Sequence, residues 1–211
     1  MTIKASNLIL LGGVLCLDFV NTKNWHIDEK PYDFFGDYSA LLQWNLQLKL
    51  ITPSQAEQLF ELSGQQKQKT QAVLKQVGQL RETIYQIFFA ITNMQEIPSS
   101  ELNRFNEAWG KSLANMQVLP VQKAFRWQWV GSDKALDSVL WPVLHSAAEL
   151  LISEKLYRVK GCEGCGWLFL DTTKGGRRRW CDMRICGNRA KSKRHYARRR
   201  GLQSKKAGTN L

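Results

Sequence analysis

The chain has 211 residues, 44% of them hydrophobic and 23% charged, with eight tryptophans. That is apolar material for one packed domain plus a small module, and it excludes a chain too polar to fold. The net charge of +12 is unevenly placed: residues 1–154 carry 13 Lys+Arg against 15 Asp+Glu, and residues 155–211 carry 17 against 3. So positive a segment attracts polyanions, either nucleic acid or an acidic membrane surface.

Residues 8–22 open with an apolar run broken by Gly12-Gly13. The alternation Leu15, Leu17, Phe19 has strand period and predicts a buried strand or turn. The run is too short for a transmembrane helix, and no small-x-small cleavage site follows it, so a cytoplasmic protein is expected. Residues 23–36 read as a loop. Asp37 or Ser39 is positioned to cap a helix carrying Leu41, Leu42, Trp44 and Leu48. Thr52-Pro53 is a sharper start, a cap residue followed by proline in the first turn. Ser63-Gly64 ends that helix. Val73, Val77, Leu80, Ile84, Ile87, Phe88 and Ile91 recur at three- and four-residue intervals and predict a long helix from about Lys67 to Met94. Pro98 stops it, and a further helix follows near Glu101 to Asn115. Phe125, Trp127 and Trp129 alternate with Arg126 and Gln128, which predicts a half-buried strand hairpinned to Val118–Val121. A helix from Ser132-Asp133 to about Tyr157 should be kinked or divided by Pro142.

Beyond residue 158 the composition turns to Cys, Gly and Arg. Four of the five cysteines have the spacing Cys162-x2-Cys165, then fifteen residues, then Cys181-x4-Cys186. Paired thiolates with Gly161, Gly164 and Gly166 around the first turn suit a zinc knuckle, with four soft ligands around one tetrahedral Zn2+. An all-sulfur sphere leaves no open position, so the ion is structural. An iron–sulfur site or a redox pair is the alternative for the same four residues. Trp167, Phe169, Trp180 and Ile185 are expected to pack around the ion. Cys16 stands alone and reads as a small buried apolar residue.

Residues 188–200 lack proline and predict a helix capped by Gly187 or Asn188, with Ala190, Ala197 and Tyr196 toward the zinc core. Arg189, Lys191, Lys193, Arg194 and Arg198 lie on it without acidic partners at helical spacing. Arg177, Arg178 and Arg179 precede Cys181, so the zinc would bring both basic segments together. Phosphate contacts would then dominate affinity for a nucleic acid. A solvated, solubilising face is the alternative use of the same charge.

Arg178-Arg179-Trp180-Cys181 with Cys186-Gly187-Asn188-Arg189 resembles the CGNR zinc finger, and Cys165-Gly166-Trp167-Leu168-Phe169-Leu170-Asp171 fits the same pattern. Leu15-Cys16-Leu17-Asp18-Phe19-Val20-Asn21-Thr22 is similar to the signature of the ABATE domain that usually precedes this finger. The resemblance implies a bacterial stress-induced transcription regulator whose finger binds zinc and DNA, with Cys162, Cys165, Cys181 and Cys186 as ligands.

The expected architecture is therefore α+β: a mainly helical N-terminal domain with a small β-hairpin (1–157), a zinc-binding module made of a knuckle and a basic helix (158–202), and a disordered tail (203–211). The N-terminal domain is the candidate sensor, or dimerises. Asp18, Asn21 and Thr22, close in sequence to Trp25 and His26, are candidates for a small-molecule site at a pocket mouth; hydrogen bonds that hold a local turn are the alternative. No nucleophile–base pair or phosphate-binding glycine loop is visible, so catalysis is not expected. RNA in place of DNA, and a small-molecule enzyme with the finger as a tether, are the rival readings.

Overall fold

A computed structural model describes residues 9–23 and 33–207, with side chains as far as residue 198. Trp25 and His26 lie outside the described residues, as do the last four residues of the expected tail.

The N-terminal segment departs from its strand-like pattern. Leu15–Val20 is a short helix, α1, entered through an extended Val14. Cys16, Leu17, Asp18, Phe19 and Val20 are all buried. A segment enclosed on every side has no polar face, so its sequence carries no helical period. Gly12 makes the turn feasible: a Cβ there would sit 2.5 Å from the backbone N of Asp18.

The helices that follow match their signals. Asp37 caps α2 (Tyr38–Gln47) by accepting from the Ala40 N–H. Thr52 and Gln55 form a reciprocal capping box at the start of α3 (Pro53–Gln65), which satisfies two backbone donors that a helix start would leave unpaired. The long α4 (Lys67–Thr92) buries Val73, Val77, Leu80, Ile84, Ile87 and Phe88. It also buries Arg81, whose guanidinium donates to Thr22 Oγ1 at 3.1 Å and pairs with Asp33. Helix α5 (Ser99–Leu113) packs along α4.

Strands β1 (Met116–Val121) and β2 (Ala124–Trp129) form the expected antiparallel hairpin. It is not half-buried, however. Phe125 and Trp127 are 74% and 65% exposed, and only Trp129 at the base packs inward, 5.7 Å from Trp141 and 6.2 Å from His145 between ring centroids. Strand alternation correctly sorts residues onto two faces but does not reveal whether anything covers either face. Pro142 divides the segment rather than kinking one long helix. A 3-10 turn (Leu136–Leu140) leads into α6 (Trp141–Leu151), where Pro142 stands in the first turn and needs no N–H partner.

A second hairpin joins β3 (Val159–Gly161) to β4 (Leu168–Leu170). Val159, Leu168 and Leu170 belong to the helical core, whereas Phe169 packs with the cysteines. The period-2 geometry of a strand thus places β4 as a wall between two cores. The final helix, α7 (Asn188–Ala207), runs past the expected end at Arg200, so residues 203–207, expected as tail, have helical backbone. The extension has no proline, and after Gly201 it is mostly good helix formers, Leu202, Gln203, Lys205, Lys206 and Ala207. No described helix is long and apolar enough to cross a membrane.

Candidate functional site

The four cysteines meet in space although their pairs are fifteen residues apart in sequence. The knuckle closes with the Cys162 N–H donating to Trp167 O at 2.7 Å and the Gly166 N–H donating to Cys162 O at 2.9 Å. Gly166 has φ +74°, in the left-handed region that favours glycine. Gly164 lets the second pair approach, because a Cβ there would stand 2.8 Å from Cβ of Cys186. Cys181 precedes a single wide turn, Met183–Gly187, which is started by Asp182 and carries Cys186 within it. That carboxylate accepts from the N–H groups of Arg184 at 2.6 Å and Ile185 at 3.2 Å. Asp182 therefore caps the turn that flows into α7, in place of the expected Gly187 or Asn188.

Ligand geometry fits zinc. Tetrahedral thiolates bound at about 2.3 Å lie about 3.8 Å from one another. The Sγ atoms of Cys165 and Cys181 are 3.6 Å apart, those of Cys181 and Cys186 are 3.8 Å apart, and all four lie within 4.8 Å. As bare thiols they cannot all ionise: hydrogen bonds from Cys165 and Cys181 push Cys162 far down, while Cys162 pushes Cys165 up to about 12. A divalent cation relieves that repulsion. Trp167, Phe169 and Trp180 pack around the cluster as expected, and Leu11 joins them. Ile185 instead points outward, 42% exposed.

The basic residues differ in what they are free to do. Arg178 is structural: its guanidinium lies 4.6 Å from the Phe169 ring centroid and donates to Cys181 O, and its N–H donates to Asp171 at 2.8 Å. Arg179 forms a two-point pair with Glu163 and stacks over Trp180. Arg177 is exposed, as are Arg189, Lys191, Lys193, Arg194 and Arg198. Among the α7 residues whose side chains are described, Ala190 is the last half-buried one; Tyr196 and Ala197 face solvent rather than the metal core.

Sequence reasoning missed Asp171, the fully buried organiser of the arginine loop. It accepts from Thr173 N at 3.0 Å, Thr173 Oγ1 at 2.6 Å and Arg178 N, and its carboxylate lies 3.2 Å from Lys160 Nζ. Burial raises its carboxyl, yet these donors together hold it far below the usual carboxylate range. The Asp-Thr pair was the available signal, since such residues often hold a turn through the side chain.

Asp18, Asn21 and Thr22 spend hydrogen bonds on the protein itself. Gly12 N–H donates to Asp18 Oδ1 at 2.7 Å, Thr22 Oγ1 donates to Phe19 O at 2.6 Å, and Asn21 bonds Leu168 through both its side-chain atoms. A cleft of about 540 Å³ lies elsewhere, between α4, α5 and α6, floored by Leu80, Leu140, Trp141 and Leu144.

Burial pushes the Asp18 carboxyl up to about 6, against the Gly12 and Leu11 backbone hydrogen bonds that lower it. The folded chain therefore holds this proton more tightly than the unfolded chain does. The resulting stability is complete below pH 4 and is lost as pH rises through about 6. Asp18→Asn should remove that dependence: thermal melts should show a gain of about 1–3 kcal/mol at pH 8 and little change at pH 4. A variant destabilised equally at both pH values would contradict this account.

A closed four-thiolate centre, set against a helical body and continued by a basic helix, defines a structural zinc-finger module. Residues 158–199 match the family model described as the CGNR zinc finger, and residues 13–154 match ABATE, described as "Putative stress-induced transcription regulator". The chain belongs to the ABATE family, with a CGNR zinc finger as its C-terminal module. No curated protein matches it.

Proposed function

We propose that this regulator binds duplex DNA in the bacterial cytoplasm, with zinc shaping the module and α7 docking on the nucleic acid. The observation that carries the reading is the state of α7. From Lys191 to Arg198 every side chain is exposed, and no Asp or Glu lies between Asn188 and Arg198. A helical stretch such as Lys191–Arg198, with no buried face and like charges at three- and four-residue spacing, is self-repelling in isolation. Phosphates relieve that repulsion.

The test is anisotropy of a labelled duplex across 50–200 mM salt, where each phosphate contact contributes about 0.9 to the log–log slope. Arg177→Ala should flatten the slope by about one contact, and replacing Lys191, Lys193 and Arg194 together by about two to three. Arg178→Ala should leave the slope unchanged and instead lower the melting temperature of the module. Binding independent of salt would overturn the reading, and tighter competition by structured RNA would redirect it to the RNA-binding alternative. An effector, if this regulator takes one, enters at the α4–α5–α6 cleft, where quenching of Trp141 would report it.

A further inference from the structure

We propose that the β1–β2 hairpin is a dimerisation arm that pairs edge to edge with the same hairpin of a second copy. This rests on the hairpin alone and is independent of what α7 binds.

Its two-residue loop makes Val121 and Ala124 the hydrogen-bonded closing pair. Alternation then turns the N–H and C=O groups of Phe125, Trp127 and Trp129 toward the free edge of β2. On β1 the outward positions are Met116, Val118 and Pro120. Pro120 has no N–H to offer, so that edge is blocked in the way proteins commonly protect a strand. Among the described residues no third strand joins this sheet, so one edge is closed by Pro120 and the other is open.

The same residues form one face of the hairpin: Met116 opposite Trp129, Val118 opposite Trp127, and Pro120 opposite Phe125. This face is wholly apolar, and beyond its base it is exposed, with Val118 at 50%. An isolated two-stranded hairpin is marginal in water, whereas four strands are not. Antiparallel pairing of β2 with its copy, centred on Trp127, places Phe125 opposite Trp129 and Arg126 opposite Gln128. No like charges meet in this register, and a single apolar face runs across four strands. That self-complementarity favours a second copy over a different partner, and the two-fold arrangement closes on itself. Edge pairing covers the strand edges and only the adjoining flanks of Phe125, Trp127 and Trp129, well below the roughly 1,200–2,000 Å² of a standard interface. The dimer is therefore concentration-dependent.

Sedimentation equilibrium of the full, zinc-loaded chain from 1 to 200 μM should show a shift from the 24.3 kDa monomer to twice that mass. Trp127→Glu should weaken the association at least ten-fold. Phe125→Pro should do the same by removing one outward N–H while leaving the hairpin's own ladder intact. Unchanged thermal melts would show that both variants fold. A protein monomeric across the whole range would overturn the proposal, and so would a dimer that survives both substitutions. Binding of the monomer to lipid vesicles or to another protein through Trp127 would assign the face to that other occupant.

Discussion

Cys181→Ser, or removal of zinc by a chelator, should disorder residues 172–198 and abolish nucleic-acid binding while leaving β3 and β4 docked on the helices. Cys181 is buried, and its sulfur lies within 4 Å of those of both Cys165 and Cys186. Losing it removes the junction between the two cysteine pairs. Structural zinc contributes about 10–16 kcal/mol in isolated finger peptides, more than a module with four buried core residues can replace. Val159, Leu168 and Leu170 are nevertheless held by the helical core, so the loss falls on the knuckle loop and on the residues after β4 rather than on everything beyond residue 158. Hydrogen exchange should show lost protection at Gly166, Cys186 and the start of α7, with Leu168 and Leu170 still protected. Phe169 would lose its cover on the metal side, at a cost of about 1–3 kcal/mol. The helical body should therefore melt a few degrees lower but still cooperatively. If Leu168 and Leu170 exchange as fast as Cys186, the two parts of the chain are less interlocked than the core contacts indicate.

What was legible in the sequence was local. The cysteine spacing, the Thr52-Pro53 helix start and the three-and-four period of α4 each encode their structure within a few residues. Three features were not legible, and they share a cause. Helix α1 is enclosed on all sides, so its pattern has no polar phase from which to read a period. The β1–β2 strands alternate correctly, but the exposure of Trp127 depends on what lies opposite, which alternation does not encode. Arg177, Arg178 and Arg179 are identical in composition, yet one is exposed, one is built into the loop and one is paired with Glu163. What separates them is the position of Phe169, Asp171 and Glu163 in three dimensions. Asn21 shows the same limit most sharply, since its partner is 147 residues away.

Asn21→Ala should be among the most destabilising single changes outside the metal site. Strand β4 has β3 on one edge only. On the other, the Asn21 amide donates to Leu168 O at 2.8 Å and its carbonyl accepts from Leu168 N at 3.0 Å, while Gly12 O accepts from Leu170 N at 2.8 Å. The segment around α1 thus replaces a missing strand, and Asn21 supplies both a donor and an acceptor, as a backbone unit would. Alanine would leave a buried N–H and a buried C=O unpaired, each costing about 1–3 kcal/mol, so the loss should be about 2–6 kcal/mol. Aspartate would keep the acceptor and set an anion against Leu168 O, so it should not rescue the protein. Because β4 also carries Phe169 against the cysteines, loosening that edge should speed zinc loss to a chelator as well as lower the melting temperature. A variant that melts normally and releases zinc at the wild-type rate would show that the surrounding hydrophobic wall positions β4 unaided. The amide would then be a satisfied bystander, and the link between the helical body and the finger would run through apolar contact.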